Sequence, residues 1–291
     1  MNKDIIYINE KYSDSTIYEN KIYSSTVNDH YYHLNTCSIP SDYYETEIAF
    51  AVKEIDYFFP IIGSDRLKIL DVGAGRGESS VFLAERGHQV YAVEPCEDLC
   101  ELIALAAAKF NLDIVPVCTI GERTSRLNMS NFDLVIFHAS LHHCDDPYLA
   151  VGEAFKVLKQ NGRILLLSET HMRPWVRKKW WYRQLKINPE KMGHYGGNEH
   201  AYYTWEYAQM LKKAGFKGVK KYPVRMYVDP LVRIEIGIKQ RKDGTRNWSE
   251  SKFFLRSIYY LSISKFIKIP GIFWLLATCS IIPAEFLAIR K

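Results

Sequence analysis

Six cysteines are few for 291 residues, and no two stand at CxxC spacing. That sparseness excludes a disulfide scaffold and a zinc ribbon, and it sets the expectation of a reducing, cytoplasmic compartment. The first fifteen residues, MNKDIIYINEKYSDS, lack the basic start, apolar run and small-residue cleavage site of a secretory signal. There is no internal repeat and no low-complexity tract, and 47% hydrophobic with 24% charged residues excludes disordered and collagenous classes. Long apolar runs are scarce too. Residues 272–289 come nearest, but Thr278, Ser280, Pro283 and Glu285 interrupt them, which argues against a membrane span. Docking at a membrane surface, packing on the domain and pairing with a second copy of the chain stay open for residues 253–289. The basic residues Lys252, Arg256, Lys265, Lys268, Arg290 and Lys291 around them keep a peripheral contact with an inner membrane face in view.

Acidic residues are scarce in one half only. Residues 1–170 carry 14 Lys and Arg against 25 Asp and Glu, a net −11, whereas residues 171–291 carry 24 against 8, a net +16. Such an imbalance suits an acidic substrate, a nucleic acid or an anionic surface, and equally a solvated basic face.

From residue 68 to residue 169 short apolar runs alternate with helical stretches, the pattern of a parallel α/β sheet. Residues 67–72, 89–93, 113–118, 132–138 and 163–168 read as buried strands, and 78–86, 96–110 and 148–158 as helices between them. An amphipathic helix is expected over 41–59, with Ile48, Val52, Ile55 and Phe59 on its apolar side and Ser41 as its cap. Residues 172–200 are basic and aromatic and read as a lid. Thr204 should cap a helix ending at Ala214-Gly215, followed by strands near 219–228 and 233–239, about seven in all. The expected organisation is an N-terminal extension over 1–40, a catalytic domain over 41–240 with a lid insertion at about 172–203, and an apolar helical region over 241–291.

The strongest chemical signal is Leu67-Lys-Ile-Leu-Asp71-Val-Gly73-Ala74-Gly75-Arg-Gly77-Glu-Ser, a strand running into a glycine-rich turn and then a helix. A ligand can lie against backbone only where no Cβ intervenes. The spacing is GxGxG; a dinucleotide fingerprint would place its third glycine where Glu78 stands. Asp71, an acid ending the first strand, repels a pyrophosphate and suits an amine-bearing ligand.

On these residues the segment 67–171 resembles the class I S-adenosylmethionine-dependent methyltransferases of small-molecule type. The resemblance implies a Rossmann-like, seven-stranded, mostly parallel sheet with flanking helices. It implies S-adenosylmethionine as cofactor, its methionine part held by Asp71, Gly73, Ala74, Gly75 and Gly77. It further implies ribose hydroxyls on Glu94, with Pro95 following, the adenine amino group near Glu122, and His138 in the strand-end segment lining the cofactor. The usual Gly-Asp pair before the adenine is absent, so Glu122 is only the nearest candidate. The stretch Phe137-His138-Ala-Ser140-Leu141-His142-His143-Cys144 is a second match.

Methyl transfer to an alcohol needs a general base, and neutral imidazole is the best-placed one near pH 7. His138, His142, His143, Glu169 and His171 all follow strand carboxyl ends; His142 or His143 is favoured, although the Leu-His-His element also resembles methyltransferases acting on carbon. Residues 196–216 resemble a segment of methyltransferases that modify glycans or sugar-linked metabolites, which implies His200 or Glu199 in the acceptor pocket. Trp175, Trp180, Trp181 and Tyr195 would suit sugar rings, and Arg173, Arg177, Lys178 and Lys179 a phosphate. No fixed ligand spacing supports a metal among His142, His143, Asp145, Asp146, Glu169 and His171, and none is expected. A sugar or glycan-linked acceptor is the first reading, and a quinone, lipid or polyketide the second. Nucleic acid is not expected as a partner, since no Asn-Pro-Pro-aromatic motif or binding module is found. A non-catalytic cofactor-binding module is the remaining reading.

Overall fold

The computed structural model describes residues 4–8, 11–44, 54–58, 65–187, 200–229, 249–269 and 271–291, together with residues 60, 63, 231, 234 and 238. Its strands are β1 (Ile6–Tyr7), β2 (Lys68–Val72), β3 (Gln89–Glu94), β4 (Ile114–Cys118), β5 (Phe132–His138), β6 (Leu158–Leu167), β7 (Lys217–Pro223) and β8 (Ala284–Ile289). They form one sheet in the order β1-β4-β3-β2-β5-β6-β8-β7. Strands β1 to β6 pair in parallel, and β8 runs antiparallel to both its neighbours, β6 and β7.

Both faces of the sheet are covered, which explains why the strands read as continuous apolar runs rather than alternating ones. Ile69, Leu134 and Ile136 face one cluster with Leu83, Leu99 and Leu102. Their chain neighbours Leu70, Val135 and Phe137 face the other, with Ala150, Met210 and Phe286. The first layer holds α1 (Asp14–Thr36), α2 (Pro40–Tyr44), α3 (Glu78–Glu85) and α4 (Glu97–Lys109); the second holds α5 (Pro147–Val157) and α7 (Thr204–Lys213). Between these last two, α6 (Lys178–Ile187) lies in the lid segment, whose ends are tied where His171 bridges to Tyr202. Past β7 come α8 (Arg225–Val228), α9 (Glu250–Phe266) and α10 (Ile272–Thr278), around a third small cluster of Val224, Tyr227, Ile267, Ala277 and Ile282.

Five expectations need correction. Within the strand expected over 233–239, the described residues Ile234 and Ile238 are helical. Its place beside β6 is taken by β8, so the apolar helical region expected over 241–291 ends in an inner strand of the sheet. A short apolar run next to a polar one gives no sign of which strand it will pair with, and β8 was hidden inside the longer apolar stretch. The sheet therefore has eight strands, the added one being β1 at the edge beside β4. Ser41 lies within α2 and does not cap it; Asp42 instead accepts from the N–H groups of Ser38 and Ile39, at 2.8 and 3.1 Å. Of the proposed apolar side, Ile55 is buried, and Ile48, Val52 and Phe59 lie outside the described residues. Likewise Thr204 is the first residue of α7 rather than its cap, and the N-terminal contact is Glu206 Oε2 accepting from Tyr203 N at 2.8 Å.

The residues expected to be an unassigned extension form α1, a 23-residue helix capped by Ser13 and laid across α4. Lys109 Nζ donates to Leu34 O at 2.6 Å and Tyr31 Oη to Asp98 O at 3.3 Å, fixing α1 to the sheet layer beneath. The chain reverses direction through the sheet at β2, with β3, β4 and β1 on one side and β5 and β6 on the other. Open parallel sheets bind ligands at that switch, beyond the strand carboxyl ends.

Because β8 closes the sheet between β6 and β7, its loss should be severe. Phe286→Ala, at a side chain 1% exposed, is expected to cost about 3–5 kcal/mol in denaturant unfolding. Removing residues 284–291 should leave no cooperative melting transition by circular dichroism; a truncated chain melting like the full one would contradict this placement.

Candidate active site

The cleft at the switch point has two lobes that meet at Gly73, Gly75 and Ala139. Its floor is the turn after β2, where the N–H groups of Gly73 and Ala74 both donate to Val93 O, at 2.8 and 2.9 Å. Gly73 has φ +72°, and a Cβ there would stand 2.4 Å from Ser140 Cβ, so the close approach of two strand ends requires its glycine. Gly75 differs: φ is +55°, yet a Cβ would meet nothing within 4 Å, because it would project into the open cleft. Gly77 precedes α3 as its N-cap. Ala139 and Ser168, directly after β5 and β6, also hold positive φ, +51° and +54°. Backbone strain thus gathers at the strand ends that border the site.

The first lobe contains Glu94, Pro95 and Glu122, with His143 and, from α1, Glu19 and Asn20. Glu94 is fully buried; its carboxylate accepts from Gly75 N at 2.9 Å and Cys96 N at 3.1 Å, and burial pushes it up to about 8 against those two bonds. Glu122 Oε1 accepts from Asp146 N at 3.1 Å, and burial raises its carboxyl above the usual range. The second lobe contains Asp71, Ala74 and His138. Asp71 accepts from Ser80 Oγ at 2.7 Å, and burial raises it to about 6. His138 Nδ1 lies 2.9 Å from Ser79 Oγ, and burial pushes the ring down to about 4, keeping the imidazole neutral at pH 7. Its Nε2 is buried with no partner among the described residues, a polar atom left beside the second lobe.

Past β5 a single turn of 3-10 helix, Leu141–His143, carries the two favoured histidines. Glu169, at the end of β6, holds that turn. Its Oε1 accepts from the N–H groups of Ser140 and Leu141, at 3.2 and 3.0 Å, and its Oε2 from His142 N at 3.0 Å. The same Oε2 lies 2.7 Å from His142 Nδ1. A carboxylate already facing three donors accepts from the ring as well, so Nδ1 carries the proton and Nε2 is left as an acceptor. Among the described residues no partner meets that Nε2. His143 Nδ1 stands 3.1 Å from Glu19 Oε1 of α1, and the two imidazole centroids are 4.3 Å apart. His200, at the end of the lid segment, donates its backbone N–H to His142 O at 3.1 Å, and burial lowers its ring below the usual histidine range. The structure therefore brings His142, His143 and His200 together. It sends His171 elsewhere, with Nε2 on Ser280 O at 2.9 Å and burial lowering the ring to about 4.

Of the expected acceptor contacts, Trp175 and Trp180 stand at the surface, 63% and 55% exposed; the rings beside His200 are instead Tyr182 and Tyr202, at 6.4 and 6.3 Å, which the sequence reading did not single out. Lys178 is paired with Glu206 at 2.6 Å. Glu199 and Tyr195 lie outside the described residues. What sequence reading missed is α1. Thr16, Glu19, Asn20 and Tyr23 line the first lobe, and Val27 and Leu34 continue the same stripe into the core. The spacing is helical, but the stripe is half polar because it faces a cleft, so an apolar period could not reveal it.

The residues fit S-adenosylmethionine. Glu94 offers two carboxylate oxygens to a ribose diol, Asp71 offers an acid to an amino group, and Gly75 leaves its cradle open where any Cβ would intrude.

Residues 70–166 match the model of a methyltransferase domain. Over 236 residues the chain is 24% identical to the tRNA 5-carboxymethoxyuridine methyltransferase of Escherichia coli strain K12, covering 75% of this chain and 85% of that protein. It is 30% identical over 139 residues to the ubiquinone biosynthesis O-methyltransferase of Idiomarina loihiensis, 43% of this chain and 57% of that one. In fold it is similar to phosphoethanolamine N-methyltransferase 2 of Haemonchus contortus, solved with S-adenosyl-L-methionine. The TM-score is 0.57 at 12% identity, over 98% of this chain and 61% of that one.

Two outcomes follow from the cleft. Gly75→Val should lose S-adenosylhomocysteine binding by calorimetry, with a cooperative melt shifted by only a few degrees, since about 1–2 kcal/mol of backbone strain is its main cost to the fold. Unchanged affinity would remove the loop from the site. Glu94 titrates near 8 in the free protein, and hydroxyl donors favour its ionised form; binding should therefore release a proton and tighten as pH rises from 6 to 8, by at most about tenfold per unit. Glu94→Gln should flatten that slope, and a slope persisting in the variant would place its origin elsewhere.

Proposed function

We propose that His142, held by Glu169, gives this class I S-adenosylmethionine-dependent methyltransferase the chemistry of an O-methyltransferase acting on a hydroxyl-bearing acceptor. The observation that carries the reading is the 2.7 Å contact between His142 Nδ1 and Glu169 Oε2. Bound S-adenosylmethionine supplies an electrophilic methyl group on its sulfonium. His142 Nε2 takes the proton from the acceptor hydroxyl as the oxygen forms its bond to carbon, and Glu169 stabilises the imidazolium so produced. Asp71 and Glu94 orient the bound cofactor at either end of the cleft. His143, braced by Glu19, stands in the first lobe and bounds the site from that side.

For the acceptor the reading is a sugar or a sugar-linked, phosphorylated molecule. Tyr182 and Tyr202 around His200 support it, as rings that can stack on a sugar face, and so do the exposed Arg173, Arg177 and Lys179 of the lid segment. A second reading, a hydrophobic acceptor such as a quinone, lipid or polyketide, is favoured by the likeness to a ubiquinone biosynthesis enzyme. The Escherichia coli relative named for a tRNA nucleoside makes RNA the third arm of any acceptor screen.

The screen measures S-adenosylhomocysteine release with nucleotide sugars and glycans, with quinols, and with tRNA. Against whichever acceptor turns over, His142→Ala should lower kcat by about 10²–10⁴-fold while S-adenosylhomocysteine still binds. Glu169→Gln should move the pH–rate profile as well as kcat. Full turnover in His142→Ala would rule out this base.

A further inference from the structure

Helix α9 presents apolar side chains outward as well as inward. Its inner side carries Phe253, Ser257, Tyr260, Ile263 and Ser264, at helical spacing, with Ile267 following, and packs on the small cluster around Val224 and Tyr227; the Tyr227 and Tyr260 rings lie 5.5 Å apart. The outer side carries Phe254, Leu255, Ile258, Leu261 and Phe266, with 64%, 66%, 43%, 41% and 56% of their surfaces exposed. Beyond the helix, Trp274 and Leu275 of α10 are 62% and 55% exposed. Isolated exposed apolar side chains are ordinary, but five large ones along one side of a helix are not.

Charge decides what this face suits. At 100° per residue, Lys252 falls along one margin of the apolar side, Lys268 continues the opposite margin, and Lys265 lies within it; all three are exposed. Between residues 251 and 284 there is no Asp or Glu. Two copies joined through this face about a twofold axis would bring basic margins against basic margins. Anionic headgroups complement them, while the long Lys side chains reach outward from an apolar strip set at the headgroup boundary. Among the described residues no helix is long and apolar enough to cross a membrane, so the contact is with a surface.

We propose that the outer face of α9 docks the chain on an anionic lipid surface. This is independent of the acceptor reading, since none of these residues lines the two lobes of the cleft.

The test is co-sedimentation of the full chain with vesicles of phosphatidylcholine alone and with about one-third phosphatidylglycerol. Binding to the mixed vesicles is expected to be at least about tenfold tighter and to weaken several-fold in high salt. The double variant Phe254→Ser, Leu255→Ser should lose about tenfold or more of that binding, with S-adenosylhomocysteine affinity unchanged as the sign of an intact fold. Equal binding to both vesicle types, or binding that survives the double variant, would overturn the proposal. So would a stable dimer by sedimentation velocity that the same variant dissociates, which would assign the face to a second copy.

Discussion

One buried carboxylate, Glu169, ties together the β5–β6 side of the cleft. It accepts from three successive backbone N–H groups and from the His142 ring, and so joins the end of β6 to the turn after β5. The N–H groups that open a helical turn have no partner within it, and a carboxylate there satisfies them while its charge is favoured by their dipoles. With all four contacts made, the ring tautomer is set by the same atoms that set the backbone. The lid segment is hung from this point too, because His200 N–H donates to the His142 carbonyl and Thr170 Oγ1 donates to His200 O at 2.7 Å. Glu169 was one of several candidate bases in the sequence; its bonds make it a positioning residue for His142.

The other half of the cleft depends on backbone exposure. The turn after β2 leaves Gly75 open to the cleft and turns its N–H onto Glu94, so the acid that would meet the ribose also fixes the loop beneath it. Burial of Glu94 and Asp71 with no cationic partner among the described residues raises both carboxyls, the kind of shift that gathers at ligand sites. The neutral His138, the raised acids and the strained Ala139 lie within a few residues of the β2–β5 switch, where the fold itself makes a crevice.

The parallel strands and the glycine turn were legible because each rests on a local signal: apolar runs of strand length, and closely spaced glycines after a strand, where backbone must approach a neighbour or stay open to a ligand. Asp71, Gly73, Gly75, Glu94 and His138 fall in the cleft for that reason. Strand β8 was not legible, since its partners are more than 60 and more than 100 residues away along the chain and nothing in the run 284–289 distinguishes a strand from a buried helix. Helix α1 was missed for the opposite reason, a stripe too polar to look like a core face. The tryptophans of residues 172–200 were matched to sugar rings through a resemblance, which carries no information on their burial, and Trp175 and Trp180 stand at the surface.

The account rests most heavily on where the cofactor product sits relative to His142, and a crystal structure of the complex with S-adenosylhomocysteine tests that directly. It predicts the ribose on Glu94, the homocysteine amino group toward Asp71, and His142 still bonded to Glu169 with Nε2 facing the space beside the sulfur. A ribose away from Glu94, or a His142 ring released from Glu169 and turned from the sulfur, would contradict it.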